Sequence, residues 1–595
     1  MTATARICPT PGRPLESIRM SATSPRRDPA LIREMWIVAA LTLVGGMLRA
    51  WSIGRLGLVH FDEGIYALAG LWILSPQGLL GLEPTTIAYA PPGFPFLVGV
   101  AYGCLGIGDI PAILVSITMG TLTIAAVGWV ASRTFGRGAG AAAAAFAALS
   151  GPHIAFSRLA LTDASFLLFW ILTIGQGQRF LERPNFPRAV FLGLSVGLAQ
   201  LFKYNGWIAG VLVALTAAMW FLFRRDERSP KTLVVTWGWG LFAAFLAAIV
   251  YWPWFRFVES HGGYAALLAH HRSYLGGFSS WLGHLSIQLA EARILSVGVA
   301  WQMLAGATAA VGTWATAAGW SHDPRRFPRT LLDLVFISII CATELLGLVF
   351  VVLFLHTTSN TLKSLAISRI HLVVGWFTLL ILTPFYYPYV RLWLPIEAFG
   401  WMLMGGGYAA IFRRSDPGGL RAEAGVTVRP PRDPVVALGV ICLFAFFFGI
   451  APRNLTSEDR IANVFAPTDS LRRACRAISS ELPKECIGLR LYARPPVTFY
   501  LSGPSPVYPQ PNLDRLLAPG DSRTWALLDM AMVQQQAGAQ ERLAELIERW
   551  DVVRDVPTTL NLPTLLDIDP ASATSGAGDR SASLLLLRPK RPGEA

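Results

Sequence analysis

The sequence predicts an α-helical polytopic membrane protein with about 12–13 transmembrane helices, followed by a small C-terminal soluble α/β domain. Hydrophobic residues make up 53% of the chain and charged residues 15%, against about 25% charged in an average soluble domain. Apolar segments near the length of a membrane crossing recur up to residue 451, and short Arg runs separate them. The net charge of +13 is therefore spread over loops, which argues against a nucleic-acid-binding patch.

A helix needs about 20 apolar residues to cross the roughly 30 Å hydrocarbon core of a bilayer. The stretch 93–107 is interpreted as a juxtamembrane or re-entrant helix, because a full crossing there would invert every later loop. Residues 1–34 contain six Arg and no apolar core, and they predict a disordered cytoplasmic tail. The predicted crossings are 35–53, 110–132, 138–156, 163–180, 188–202, 205–223, 232–252, 293–318, 331–355, 370–386, 389–412 and 434–451.

Arg and Lys collect on the cytoplasmic side of membrane proteins, so the Arg-rich loops predict the orientation of the chain. The loops 54–109 and 253–292 then lie on the opposite face. The Arg run at 413–432 fits this scheme only if a further crossing is hidden between 331 and 386. With that crossing, the transmembrane domain 35–451 is followed by an extracytoplasmic domain at 452–595.

The C-terminal domain has the composition of a soluble protein, with turn signals such as SGPSP and APGD. LRLYA and SASLLLLR predict strands, and the stretch Ala537–Trp550 has helical spacing. Cys475 and Cys486 could form a disulfide in an extracytoplasmic domain, and two free thiols are an equal alternative.

An acidic pair follows the first predicted crossing, in the stretch HFDEGIYALAG. A charged residue costs roughly 2.5 to 3.5 kcal/mol at the centre of a membrane helix and less near the interface, so Asp62 and Glu63 are functional candidates. The alternative is a solvated loop or a helix N-cap.

Four stretches occur in a fixed order. The Asp-Glu pair is followed by Tyr66 and by the Pro pair of YAPPGFPFLVG; FSRLALTDASF, LFKYNGW and YYPYVRLWLP come later. In this order the chain resembles the GT-C membrane glycosyltransferases, with the lipid A aminoarabinose transferases and the protein O-mannosyltransferases as the nearest groups. Ile65 and Ala90 stand where many aminoarabinose transferases have Arg and Lys, so the resemblance does not identify the donated sugar.

The resemblance implies a glycosyltransferase of the cell (inner) membrane, with its active site on the extracytoplasmic side. It would transfer a sugar from a polyprenyl phosphate-linked donor to a lipid, glycan or protein acceptor. Such a displacement needs a carboxylate to accept a proton and cations to stabilise the departing phosphate. Asp62 is expected to be the base or a metal-organising carboxylate, and Glu63 and Asp163 complete the predicted catalytic set.

The predicted substrate-binding residues are Tyr66, Arg158, Lys203, Tyr204, Tyr387 and Arg391. Arg158 could instead pair with Asp163, and Lys203 could extend to the membrane interface without binding phosphate. A divalent metal is a possible cofactor, and its weak candidate ligands are Glu83 and His261. Surface histidine is the alternative for His261.

The competing function is a polytopic transporter or lipid flippase. Many transporters have two similar halves and charges near the middle of broken helices. Here the acidic residues follow helix ends on one face, which favours an enzyme that acts at the membrane interface.

Overall fold

The computed structural model confirms the predicted fold class: a largely helical chain with several apolar helices and a small C-terminal sheet. The predicted crossings at 331–355 and 434–451, most of 293–318, and Glu83 lie outside the described residues. The structure describes residues 29–74, 90–223, 229–295, 366–413, 465–483, 486–502, 506–517, 523–534, 538–568 and 581–590.

The described part of the membrane region is mainly helical. Its helices are α1 (Pro29–Arg49), α2 (Phe61–Leu74), α3 (Gly93–Leu105), α4 (Asp109–Phe135), α5 (Ala139–Leu149), α6 (Gly151–Ser157), α7 (Thr162–Glu182), α8 (Phe186–Phe202), α9 (Ile208–Phe223), α10 (Pro230–Ser260), α11 (Gly263–Arg272), α12 (Trp281–Leu295), α13 (Ile367–Leu382) and α14 (Leu394–Arg413). Short 3₁₀ turns lie at Ile53–Arg55, Thr383–Phe385 and Val390–Trp393.

Several helices are long and apolar enough to cross a membrane. Within the described ranges there are 4, at Leu31–Arg55, Asp109–Phe135, Pro230–Ser260 and Ile367–Phe385, or 5 if α5 and α6 form one broken crossing. The predicted juxtamembrane helix at 93–107 is α3, whose 13 residues are too few for a full crossing.

The predicted crossing at 138–156 corresponds to two helices, α5 and α6, and the chain bends by 61° between them. Pro152 lies in the first turn of α6, and its missing N–H would interrupt the hydrogen bonds of a continuous helix. The Ser150 hydroxyl caps α6 by accepting a hydrogen bond from the His153 N–H at 3.2 Å. The same hydroxyl donates to Glu397 of α14 at 2.9 Å, so the bend is held by a neighbouring helix.

The stretch 253–292, predicted as a loop, is mostly helical. Its first part extends α10 to Ser260, and α11 and α12 follow. α10 continues through Pro253 although that residue cannot donate a backbone hydrogen bond.

A buried arginine joins the end of α1 to the α5–α6 bend. Arg49 donates to the carbonyl oxygens of Gly45 (2.8 Å) and Ala147 (3.0 Å). Its Nη2 also lies 2.8 Å from Nδ1 of His153. These contacts satisfy a side chain that is fully buried, and they fix the direction in which the chain leaves α1 toward Asp62.

The C-terminal region, residues 465–590, is built around one five-stranded sheet of order β2-β1-β3-β5-β4. β1 pairs in parallel with β2 and β3, whereas β5 is antiparallel to both β3 and β4. Its elements are α15 (Ser470–Glu481), β1 (Gly488–Tyr492), α16 (Pro495–Leu501), β2 (Val507–Pro509), α17 (Leu513–Leu517), β3 (Thr524–Asp529), α18 (Met530–Val533), α19 (Ala539–Arg549), β4 (Trp550–Thr559), α20 (Leu562–Ile568) and β5 (Ser581–Pro589).

The predicted strands LRLYA and SASLLLLR are confirmed as β1 and β5, and the predicted helix near Ala537 is α19. Leu489 and Leu491 of β1 and Leu584 and Leu586 of β5 are buried in one cluster, as alternation along a strand predicts. Cys475 and Cys486 are both free and buried, so the structure contains two thiols at these positions and not the disulfide that was the other alternative.

The C-terminal region docks on the segment between α1 and α2. Tyr500 accepts a hydrogen bond from the Leu58 N–H (2.6 Å) and donates to Asp109 (2.9 Å). Arg472 pairs with the same Asp109 carboxylate at 2.9 Å. Gly64 of α2 packs so closely on α16 that an added Cβ would lie 2.2 Å from the Pro496 nitrogen. The docked region therefore lies directly beside Asp62 and Glu63.

Candidate active site

Glu63 fixes the turn that leads into α2. Its Oε2 accepts hydrogen bonds from the N–H groups of Val59 and His60, both at 2.8 Å, and its Oε1 accepts from the Ala160 N–H at 2.7 Å. A glutamate that bonds the backbone ahead of its own helix is a capping arrangement. Glu63 is fully buried, and burial raises its pKa. The structure thus gives Glu63 a positioning part, and its catalytic role stays a prediction.

Asp62 lies at the centre of the site. Arg391, which precedes α14, donates from Nη1 to Asp62 Oδ2 at 2.7 Å. The Asp62 side chain remains 30% exposed, whereas Asp163 is 2% exposed, so Asp62 is the more accessible carboxylate. Burial alone would raise the pKa of Asp62, but Arg391 and, more weakly, Lys203 bring it below its usual value. Asp62 is therefore an ionised carboxylate that a substrate can reach.

Asp163 and Lys203 form a second ion pair. Lys203 follows the last residue of α8 and donates from Nζ to Asp163 Oδ1 at 2.6 Å. Lys203 keeps 22% of its side chain exposed. Arg158 does not pair with Asp163; its Nη1 donates to the carbonyl oxygens of Arg49 (2.9 Å) and Trp51 (2.7 Å). Arg158 thus caps the carbonyl oxygens at the C-terminal end of α1. Its predicted contact with substrate stays a prediction.

Tyr66 lies close enough to both ion pairs to interact with the carboxylates of Asp62 and Asp163. Burial raises its pKa, and the charges of both Asp62 and Asp163 raise it further. Its hydroxyl is hydrogen-bonded to Thr162, the residue before Asp163. The predicted residues Asp62, Tyr66, Asp163, Lys203 and Arg391 are therefore brought together by α2, α7, the end of α8 and the turn before α14.

Aromatic side chains surround these charges. The Arg391 guanidinium lies 4.9 Å from the centre of the Tyr389 ring, which supports it by a cation–π contact. Tyr387 packs beside Tyr389, with their ring centres 4.7 Å apart. Tyr204 accepts a hydrogen bond from Trp254 Nε1 at 3.2 Å. Tyr204 and Tyr387 thus lie beside Lys203 and Arg391, where the sequence places substrate contacts.

Of the two weak candidate metal ligands, His261 lies within the described residues and Glu83 lies outside them. His261 follows α10, and its Nδ1 lies 2.8 Å from the Phe257 carbonyl oxygen while its ring stacks on the Phe257 ring. Among the described residues, no group of three or more His, Cys, Asp or Glu side chains is arranged to hold a metal ion.

Three further residues at the site were missed by the sequence interpretation. Asp567, in α20 of the C-terminal region, pairs through Oδ2 with Arg391 Nε at 3.2 Å and with His60 Nε2 at 2.7 Å. Glu291 of α12 is fully buried, and burial followed by the charge of Asp567 raises its pKa to about 10. Asp567 and Glu291 lie in stretches of sequence without a recognisable motif. His60 precedes the acidic pair by two residues, but no local sequence pattern identifies it as a site residue.

Comparisons with known proteins agree with this architecture. Residues 89–254 match the family model described as dolichyl-phosphate-mannose-protein mannosyltransferase. The structure of ArnT from Cupriavidus metallidurans, bound to undecaprenyl phosphate, is similar with a TM-score of 0.52 at 15% identity, over 93% of this chain and 97% of ArnT. The chain has the GT-C glycosyltransferase fold. The apo oligosaccharyltransferase of Archaeoglobus fulgidus has a TM-score of 0.51 at 13% identity, over 90% of this chain and 71% of that one.

No curated protein matches the chain significantly in sequence. The GT-C fold and the family match confirm the predicted superfamily and the predicted enzyme class, a multi-pass membrane glycosyltransferase. The order of motifs around Asp62, Asp163, Lys203 and Arg391 thus led to the right class.

Proposed function

We propose that this GT-C glycosyltransferase transfers a sugar from a polyprenyl phosphate-linked donor to an extracytoplasmic acceptor, which is a lipid, a glycan or a protein. The observation that carries the proposal is the contact between Asp62, an accessible carboxylate, and Arg391, with Lys203 nearby. A base and two cations are what displacement of a sugar from a phosphate requires. The undecaprenyl phosphate bound in ArnT supports the class of carrier.

In the proposed reaction, the Asp62 carboxylate accepts the proton of an acceptor hydroxyl as its oxygen attacks the anomeric carbon of the sugar. The bond between that carbon and the phosphate oxygen breaks, and the phosphate leaves with the electron pair. Arg391 and Lys203 stabilise the negative charge that develops on the leaving phosphate. Asp163 holds the Lys203 ammonium in place through the 2.6 Å contact.

We place this chemistry on the extracytoplasmic side of the inner membrane, with residues 1–34 as a cytoplasmic tail, 35–451 as the transmembrane domain and 452–595 as an extracytoplasmic domain. The Arg-rich loops support that orientation. The docking of the C-terminal region beside Asp62 requires that this region and the site share one face.

The function is tested with purified protein in detergent, a panel of radiolabelled polyprenyl phosphate sugars and an extract of membrane lipids and glycans as acceptor. We expect one donor to lose its sugar, with release of an equal amount of polyprenyl phosphate. The flippase alternative predicts that donors stay intact while their head groups cross the bilayer of proteoliposomes. Intact donors across the panel together with such movement would overturn the proposal.

The orientation is tested by cysteine labelling in a variant whose 6 native cysteines are replaced by serine. Arg473→Cys lies in the C-terminal region, where the side chain is 69% exposed. We expect a membrane-impermeant maleimide to label it in spheroplasts. Glu182→Cys, at the other end of α7 from Asp163, should be labelled only after lysis. The reverse pattern would contradict the proposed sidedness.

A further inference from the structure

The C-terminal region contributes a carboxylate to the site. Asp567 is separated from His60 by 507 positions in the sequence and still lies 2.7 Å from it. Its side chain is 5% exposed. A carboxylate in so buried a position needs partners, and Asp567 Oδ2 has two: His60 Nε2 and Arg391 Nε.

Arg391 is therefore shared by two carboxylates. Its Nε faces Asp567 at 3.2 Å and its Nη1 donates to Asp62 at 2.7 Å. A guanidinium carries five N–H donors in a rigid plane, so a partner at Nε fixes the direction of the others. Asp567 sets the plane of the Arg391 guanidinium. Because the guanidinium also pairs with Asp567, its positive charge neutralises Asp62 only in part.

A second route leads from Asp567 to Asp62 through His60. The Asp62 N–H donates to His60 Nδ1 at 3.0 Å, so Nδ1 must be unprotonated. The ring hydrogen then lies on Nε2 and points to Asp567. Asp567 thus orients the ring of the histidine whose other nitrogen accepts a hydrogen bond from the Asp62 backbone.

We propose that Asp567 is a positioning residue of the glycosyltransferase reaction: it orients Arg391 and His60 and keeps Arg391 from neutralising Asp62 completely. This inference rests on the proposed function. It makes the C-terminal region a part of the active site, because a site without that region lacks the second partner of Arg391 and the acceptor for His60 Nε2.

A purely structural part for Asp567 would be to attach the C-terminal region to the membrane region. Other contacts already do so: Tyr500 and Arg472 bind Asp109, and Arg494 donates to the Val59 carbonyl oxygen at 3.1 Å. Tyr500 hydrogen-bonds the same α1–α2 segment and touches neither Arg391 nor His60 in any described contact. It therefore offers a matched variant at the same interface.

The test compares Asp567→Asn with Tyr500→Phe. For Asp567→Asn we expect kcat to fall about 10- to 100-fold, the range expected when catalytic groups are misplaced by about an ångström. The KM for the donor should stay the same or fall, because a negative charge has been removed near its phosphate. Tyr500→Phe should leave kcat within about threefold of the wild-type value, and Asp567→Glu should recover part of the lost kcat.

A wild-type kcat in Asp567→Asn would overturn the proposal. A loss that Tyr500→Phe reproduces, with a matching drop in thermal midpoint, would overturn it as well. A readout that needs no turnover separates this failure from that of the proposed function: ¹⁵N spectra of histidine-labelled protein, with His60→Gln for assignment. As the pH is varied, these spectra should give His60 a lower pKa in Asp567→Asn than in the wild type, because the Asp567 carboxylate raises the pKa of His60 against the effect of burial. The same His60 pKa in both proteins would refute the positioning role, whereas the expected change without any sugar transfer would refute only the proposed function.

Discussion

Replacement of Asp62 by Asn should reduce the rate of sugar transfer about 10² to 10⁴ fold, the usual contribution of a general base. The amide keeps the size of the carboxylate and can still accept a hydrogen bond from Arg391 Nη1. It lacks both the negative charge and the basicity that proton removal requires. Arg391 retains Asp567 as a charged partner in this variant, so the change does not leave a buried cation unpaired.

Binding of the donor should survive in Asp62→Asn, because the cations that would hold its phosphate are unchanged. The measurement is the initial rate of polyprenyl phosphate release together with the Kd of the donor. Asp551→Asn is the matched control, since Asp551 pairs with Arg588 at 3.0 Å on the surface of the C-terminal region. If Asp62→Asn releases sugar at the wild-type rate, the base has been assigned to the wrong residue and Asp163 is the next candidate.

Local features of the sequence predicted the elements of the fold well. Apolar segments of the right length correspond to α1, α4, α10 and α13, because burial in lipid requires a continuous apolar stretch. Alternation in SASLLLLR and helical spacing after Ala537 predicted β5 and α19. The sequence analysis missed the bend between α5 and α6 although Pro152 lies there. The length of an apolar segment predicts that a helix can cross the membrane, but it does not predict whether the helix axis is straight or bent.

The site was predictable only where residues belong to a recognisable order of motifs. From that order the sequence analysis placed Asp62 and Arg391 in one site. In the structure Arg391 Nη1 lies 2.7 Å from Asp62 Oδ2. Asp567 could not be found in this way, because its position depends on how the C-terminal region docks on the α1–α2 segment. Pairing of Arg158 with Asp163 was the alternative to a contact with substrate, but Arg158 donates to the carbonyl oxygens at the end of α1. Long-range docking of this kind leaves no periodicity in the sequence.

Replacement of Lys203 by Met should weaken binding of the polyprenyl phosphate carrier. A hydrogen bond to a charged group contributes about 1.5–3 kcal/mol, so loss of the ammonium should raise the Kd roughly 10- to 100-fold. Methionine keeps most of the length and the apolar stem of lysine, which packs with the ammonium 5.8 Å from the centre of the Phe166 ring. Carrier binding is measured by microscale thermophoresis with undecaprenyl phosphate, and undecaprenol without phosphate is the control ligand.

The single variant leaves Asp163, which is 2% exposed, without the ammonium that lies 2.6 Å from its carboxylate. An uncompensated buried charge is destabilising by about 3–5 kcal/mol, so weak binding could follow from loss of structure alone. The double variant Asp163→Asn/Lys203→Met removes both charges, and we expect it to recover much of the thermal midpoint while carrier binding stays weak. Recovery of binding together with stability would show that Lys203 supports the fold and does not hold the phosphate.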